Sequence, residues 1–182
     1  MAKRTKKTIT LGSGHIYLKI FTDAMPDVAT LCVEENRLGY IKNGASLEYT
    51  QETYEERDDL GFTSKIITTS EEALLKCGLI TWNGETLTKL IDRCRTEDKD
   101  GKRITYIGGA GNAQGGHYAI CFHQEDKTDG DLWVLIKGRN TAGVTLTFAP
   151  EEGTVVEPEF KALPHDDKGT LIQLIEETGE AA

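Results

Sequence analysis

His117, Cys121 and His123 are the side chains that most invite a metal, because imidazole and thiolate are soft ligands. On an extended strand the three share one face by parity. Cys121 and His123 are near neighbours there, but His117 stands about 13 Å from Cys121 by the rise per residue. No second ligand pair has zinc spacing, so packed or surface positions are expected for all three. The loop from Gly108 to Gly116, GGAGNAQGG, invites a phosphate cradle. It lacks the Lys-Ser/Thr pair of a P-loop, and its best dinucleotide alignment, Gly109-x-Gly111, reaches Gln114 where glycine is required. It also lies between strands, with no helix N-terminus to hold an anion, and is expected as a flexible connection. The stretch from Thr96 to Ile107 places Asp98, Asp100 and Gly101 as a calcium loop would, but Thr96 and Ile107 stand where carboxylates are needed, which leaves a solvated acidic turn.

Nucleophiles are no better placed. Gly12-Ser13-Gly14 is not a G-x-S-x-G elbow, and none of the four histidines (His15, His117, His123, His165) has a nucleophile and carboxylate beside it. Asp58 and Asp59 are paired carboxylates without an apolar pocket to raise a pKa. The sequence therefore reads as a non-enzyme with no cofactor and no metal.

The elements that would carry these residues are mostly strands. From His15 to Phe21, Ile16, Leu18 and Ile20 alternate with Tyr17 and Lys19, the period of a half-buried strand. Gly39 to Lys42 and Ala45 to Glu56 alternate again, with Leu47, Tyr49, Thr53 and Glu55 on one face. With Phe62 to Thr68 they predict a long two-stranded excursion. Its far end, Thr53 to Gly61, reads as acidic, poor in apolar groups and mobile. A long hairpin of this kind is a liability unless a partner covers it. Thr69 to Cys77 is the best predicted helix: Thr69 and Glu72 fit a capping box, Ala73, Leu74 and Leu75 favour helix, and Gly78 suits the position past its end. Leu79 to Leu90 reads either as a hairpin turning at Asn83-Gly84 or, the preferred option, as a lead into a second short helix over Glu85 to Cys94. Three further strands are expected at Arg103 to Gly108, Tyr118 to Gln124 and Leu132 to Gly138. The run from Lys137 to Glu177 then alternates Val144, Leu146 and Phe148 with Thr145, Thr147 and Ala149. It continues through Val156, Phe160 and Leu171 to Ile175, broken by Pro150, Gly153, Pro158, Pro164 and Gly169. The fold class is mainly β: an antiparallel β-sandwich or barrel with one or two short flanking helices and an extended hairpin arm.

Composition agrees with one soluble domain spanning residues 1–182, 38% hydrophobic and 28% charged. No apolar stretch reaches the roughly 20 residues of a membrane helix, and the basic start has no apolar core behind it, so no membrane and no secretory signal are expected. Lys3, Arg4, Lys6 and Lys7 make residues 1–12 a basic end, expected to be frayed; the rest of the chain holds 17 basic against 30 acidic side chains. A body this acidic disfavours tight DNA binding. Cys32, Cys77, Cys94 and Cys121 are expected reduced and mostly buried, with a disulfide pair left open.

Two stretches resemble the tail tube proteins of long-tailed bacteriophages. One is the ending T-L-T-F (Thr145–Phe148), P-E-F-K-A-x-P (Pro158–Pro164) and G-T-L-I-x-x-x-E (Gly169–Glu176). The other runs from Gly39 to Leu90, with Y-x-K-x-G-A-S-L-E-Y-T from Tyr40, D-D-L-G from Asp58 and T-W-N-G-x-T-L from Thr81. Together they cover about half the chain; residues 92–139 carry little of the likeness. The resemblance implies a structural virion protein, made in the bacterial host cytoplasm. Six subunits would form a ring, and rings would stack into a tube through which DNA passes without specific binding. It implies tape-measure, tail terminator and tail-tip or baseplate proteins as partners. Carried onto this chain, the arm is residues 43–65 and a C-terminal assembly segment is 154–177. The candidate contact residues are Tyr49, Glu52, Tyr54, Glu55, Glu56, Asp58, Asp59, Phe62, Lys65, Glu157, Phe160 and Lys161. The competing reading is a monomeric β-sandwich binding module of carbohydrate or adhesion type, with Trp82, Trp133, Tyr49 and Tyr54 as a stacking face.

Overall fold

The computed structural model describes residues 4–179. Ten strands and two short helices follow in the order β1 (His15–Ile20), α1 (Val28–Leu31), β2 (Arg37–Gly39), β3 (Ile41–Arg57), β4 (Ser64–Leu79), α2 (Gly84–Leu90), β5 (Cys94–Lys99), β6 (Lys102–Ile107), β7 (Tyr118–Gln124), β8 (Leu132–Asn140), β9 (Glu159–Leu163) and β10 (Ile172–Glu176). Every pairing is antiparallel. No helix among the described residues is long and apolar enough to cross a membrane.

The main sheet has the order β2-β1-β7-β8-β9-β4-β3. Its two ends are one bent strand, because β2 and β3 are separated only by Tyr40. At that corner the Tyr40 amide donates to Thr81 Oγ1 (2.7 Å) and the Ile80 amide to the Tyr40 carbonyl (2.9 Å). The sheet thus returns on itself as a six-membered ring of strands, a small barrel with no edge along its base. Ile16, Leu18, Ala73, Leu75, Leu79, Ile120, Ile136 and Phe160 fill its interior. A second cluster, Tyr17, Leu31, Ala119, Cys121 and Leu135, lies on the other side of β1, β7 and β8, where α1 covers it. Those three strands are buried on both faces, which is why Ile16, Tyr17 and Leu18 are consecutive and all buried.

β8 holds the sheet together. One side pairs with β7; the other pairs with β10 over Leu132–Ile136 and with β9 over Lys137–Asn140. Leu163 and Ile172 stand opposite adjacent residues of β8, so β9 and β10 form one strand beside β8 interrupted by the loop 164–171, and β9 pairs with β4 on its other side. The Asp166 carboxylate fastens that loop by accepting from the Lys168 and Thr170 amides (3.0 and 2.9 Å).

Three expectations are corrected. Thr69 to Cys77 is strand, not helix. Its Ala73, Leu75, Cys77 and Leu79 alternate inward, and β3 and β9 pair with it on both sides, so tertiary pairing overrides helix propensity. Gly78, expected past a helix end, is a close-approach site: a Cβ there would stand 2.6 Å from the Lys42 carbonyl oxygen. Val144 to Ala149, a regular alternation in the sequence, belongs to no strand, because no neighbouring segment offers it a ladder. The preferred second helix does form, as α2, seven residues capped by the Asn83 side chain, whose Oδ1 accepts from the Thr86 amide (2.9 Å); it ends at Leu90 and Cys94 opens a strand. The basic end is also tied down over its described residues. The Arg4 guanidinium donates to the Gly130 carbonyl (2.8 Å) and to Gln124 Oε1 (3.3 Å), and buried Gln124 donates to the Leu11 carbonyl (2.8 Å). Lys3 lies outside the described residues.

Candidate assembly surface

β3 and β4 leave the barrel together and keep their pairing to Arg57 and Ser64. From the Gln51–Glu71 pair outward this is six steps along the strand, roughly 20 Å. Two irregularities shape the arm. Asn43 and Gly44, both at positive φ (67° and 75°), bulge out of β3 at its root. Thr69 bulges out of β4, its hydroxyl donating to the Glu52 carbonyl (3.2 Å). The second bulge advances β4 by one residue, so beyond it Ile66 joins the face of Glu55 while Ile67 joins the face of Tyr54. Each face of the outer arm thereby presents an exposed isoleucine. Asp58 closes the turn: its Oδ1 accepts from the Thr63 amide (2.7 Å), and the Gly61 amide donates to its carbonyl (3.0 Å).

Thr53 to Gly61 carries the expected carboxylates, but the returning strand adds apolar groups to the arm. Leu60, Phe62, Ile66 and Ile67 are all exposed, Phe62 by 86%. Its carboxylates are largely engaged within the arm. Glu71 accepts from the Tyr49 hydroxyl (2.9 Å), Glu52 from the Ser70 hydroxyl (3.0 Å) and Glu56 from the Tyr54 hydroxyl, while Glu55 pairs with Arg57 (2.7 Å). These carboxylates hold both phenol pKa values above the ordinary range. Asp59 and Lys65 have no ion pair among the described residues. The unsatisfied surface of the tip is therefore chiefly apolar. The sequence signal for this is Phe62 with Ile66 and Ile67, which stand beside the more conspicuous Glu55, Glu56, Asp58 and Asp59.

At the arm's root, a charged stripe crosses three strands. Lys76 bridges Glu48 (3.2 Å) and Glu159 (3.5 Å), and Lys161 pairs with Glu72 (2.8 Å). Glu157 is exposed nearby. Phe160 corrects the contact set: it is wholly buried in the barrel, where alternation along β9 turns it inward between Glu159 and Lys161, so it offers nothing to a partner.

The second unsatisfied region is Val144 to Ala149. Val144 and Leu146 rest against the barrel core, and Phe148 is 76% exposed beside Trp82, with ring centroids 6.4 Å apart. Among the described residues no backbone amide of this segment makes a backbone hydrogen bond; the Thr147 carbonyl accepts from the Thr154 hydroxyl (2.7 Å). It is a strand-competent segment with one side seated and its backbone amides free of any ladder.

The residues that suggested chemistry are not brought together. His123 bonds Asp131 (2.8 Å) and stacks on Trp133, and Cys121 turns to Cys32. No group of three metal-ligating side chains exists among the described residues. Asp98 pairs with Arg103 across the β5–β6 hairpin (2.9 Å), whose turn is Asp100-Gly101 at positive φ. The loop 108–116 is pinned rather than slack: the Gln114 side chain donates to the Cys94 carbonyl (2.7 Å) and Asn112 to the Gly108 carbonyl (2.6 Å). The four aromatics of the binding-module reading are dispersed. Trp82 packs on the barrel core, Trp133 on the second cluster, and Tyr49 and Tyr54 lie on opposite faces of the arm. No family model and no curated protein matches the chain.

Proposed function

We propose that this chain is a structural subunit that polymerises as stacked, hexameric rings into the tail tube of a long-tailed phage or related particle, through which DNA is delivered. The observation that carries the reading is the arm. Two strands run about 20 Å beyond their core with both faces in water and apolar groups at the tip, a surface that a partner would cover. The unclaimed segment 144–149 adds a second place where a neighbour's backbone could pair. Each contact can be weak, since repetition along a tube supplies avidity. The acidic body, 30 carboxylates against 21 cations, suits a conduit that DNA must pass without adhering. Its partners in this role are further copies of itself, a tape-measure protein in the lumen, and terminator and tail-tip or baseplate proteins. The subunit is made in the host cytoplasm and resides in the virion tail.

The test is negative-stain electron microscopy of the purified protein at high concentration, beside its mass in solution. Rings or hollow tubes are expected, and deleting residues 53–61 should leave rings unable to stack. Monomers at every concentration and salt, whatever the state of the arm, would overturn the reading and favour a monomeric binding module.

A further inference from the structure

Two of the four cysteines are placed differently from the rest. Cys77 points into the barrel and Cys94 is buried at the root of the β5–β6 hairpin; burial pushes both thiols up, Cys77 to about 12. Cys32 directly follows α1, its amide donating to the Val28 carbonyl (2.8 Å), and it is only partly buried. Its Sγ lies 3.4 Å from the Sγ of Cys121, 89 residues away on β7 and wholly buried under α1 among Tyr17, Leu31, Ala119 and Leu135.

We propose that Cys32 and Cys121 form a thiol–disulfide exchange site that takes a low-molecular-weight disulfide as co-substrate and closes into an intramolecular bond fastening α1 to the sheet. The roles follow from access and from the bond between the two thiols. That hydrogen bond holds Cys32 below and Cys121 above the ordinary thiol range, and burial adds to the rise at Cys121. Cys32 is therefore the attacking thiolate and Cys121 the resolving thiol. In the first step Cys32 loses its proton and its sulfur attacks one sulfur of the co-substrate. The co-substrate's S–S bond breaks, and one half leaves as a thiolate that takes up a proton. In the second step Cys121 loses its proton and attacks the Cys32 sulfur of the mixed disulfide, releasing the other half as a thiol. Two protein thiols are oxidised, one small disulfide is reduced to two thiols, and no further electron acceptor is needed.

The bond would close a loop carrying β2, β3, β4, the arm and β5 to β7 onto the twice-buried strands, so its effect on the unfolded chain is large. It requires no assembly and stands apart from the proposal above. The experiment uses the full chain, reduced and then incubated with oxidised glutathione. Intact mass should fall by two hydrogens, thiol titration under denaturant should fall from four to two, and a peptide map should join Cys32 to Cys121. The thermal midpoint should rise by roughly 5–10 °C. Cys121→Ser should stop at a glutathione adduct on Cys32, and Cys32→Ser should form neither species; Cys77→Ser should behave as the parent. Because the map is read on the parent chain, folding of the variants is not required. Four thiols that persist, a bond involving Cys77 or Cys94, or a stable glutathione adduct on Cys32 of the parent would overturn the proposal.

Discussion

β3 and β4 are the same two strands throughout, yet they live in two environments. At the root, Leu75 and Leu79 are at most 1% exposed and Ala73 is wholly buried; past Thr69, Ile66 is 62% exposed and Phe62 86%. Antiparallel pairing continues through both halves, shifted by one residue at Thr69, so the ladder itself does not explain the difference. Ring closure does. The root is gripped by β9 and by the corner at Tyr40, whereas the outer arm has only its own partner strand. Stability in the barrel comes from burial, while the arm holds its shape through its ladder, the Asp58 turn and side-chain bonds such as Tyr49 to Glu71.

Substitutions should separate the two regions by size of effect. Phe160→Ala removes the largest wholly buried side chain of the barrel and should cost about 3–5 kcal/mol in urea unfolding. A loss below about 1 kcal/mol would show the barrel far more compliant than its packing suggests. Gly138→Ala comes next. A Cβ there would stand 2.1 Å from the Lys161 carbonyl oxygen, so β8 and β9 must part, and about 1–3 kcal/mol should be lost together with amide protection of β9.

Asp131 gives a pH signature. Burial raises its pKa, but the Asp126 amide and the His123 side chain outweigh that, and the net shift is downward. A carboxylate depressed in the folded state contributes stability that is complete above its unfolded pKa, about 4, and is lost as pH falls through the folded value. Asp131→Asn should therefore flatten the acid limb of stability below about pH 4; an unchanged acid limb would assign it to other groups. Lys161→Gln breaks an ion pair whose partners are 47% and 44% exposed, and should change stability by less than about 1 kcal/mol. Phe62→Ser should shift stability by no more than about 0.5 kcal/mol, yet abolish ring stacking in electron micrographs. If it unfolded the subunit instead, the arm would be part of the core's cooperative unit and the contrast would fail.

Much of this was legible in the residues. Period-two alternation located β1, β3, β7, β8, β9 and β10; Asn83-Gly84 suggested a hairpin turn, whereas the Asn83 side chain caps α2. What misled was local chemistry that two structures can share. Thr69 and Glu72 with Ala73, Leu74 and Leu75 satisfy a helix start, but Ala73, Leu75, Cys77 and Leu79 also alternate, and β9, some 85 residues later, decides between them. Strand β5 was missed because Arg95 to Lys99 is polar and pairs only with β6. For the assembly surface, the arm's existence was readable and its polarity was not. Counting carboxylates cannot reveal that Tyr49, Ser70, Tyr54 and Arg57 engage them, nor that one bulged residue puts an isoleucine on each side. Val144 to Ala149 was read as a strand from a pattern it truly has; a ladder needs a second segment, and one copy of this fold offers none there.

The clasp at Arg4 has a practical corollary. Its amide donates to the Glu177 carbonyl (3.0 Å), so the two described ends of the chain touch. A short linker could join them, and the chain could be reopened between Asp59 and Leu60, in the exposed turn at the tip of the arm. Such a circular permutant would keep every barrel strand in its place while turning the hairpin into two independently extendable tails, and either tail would carry a fused peptide to the far end of the arm.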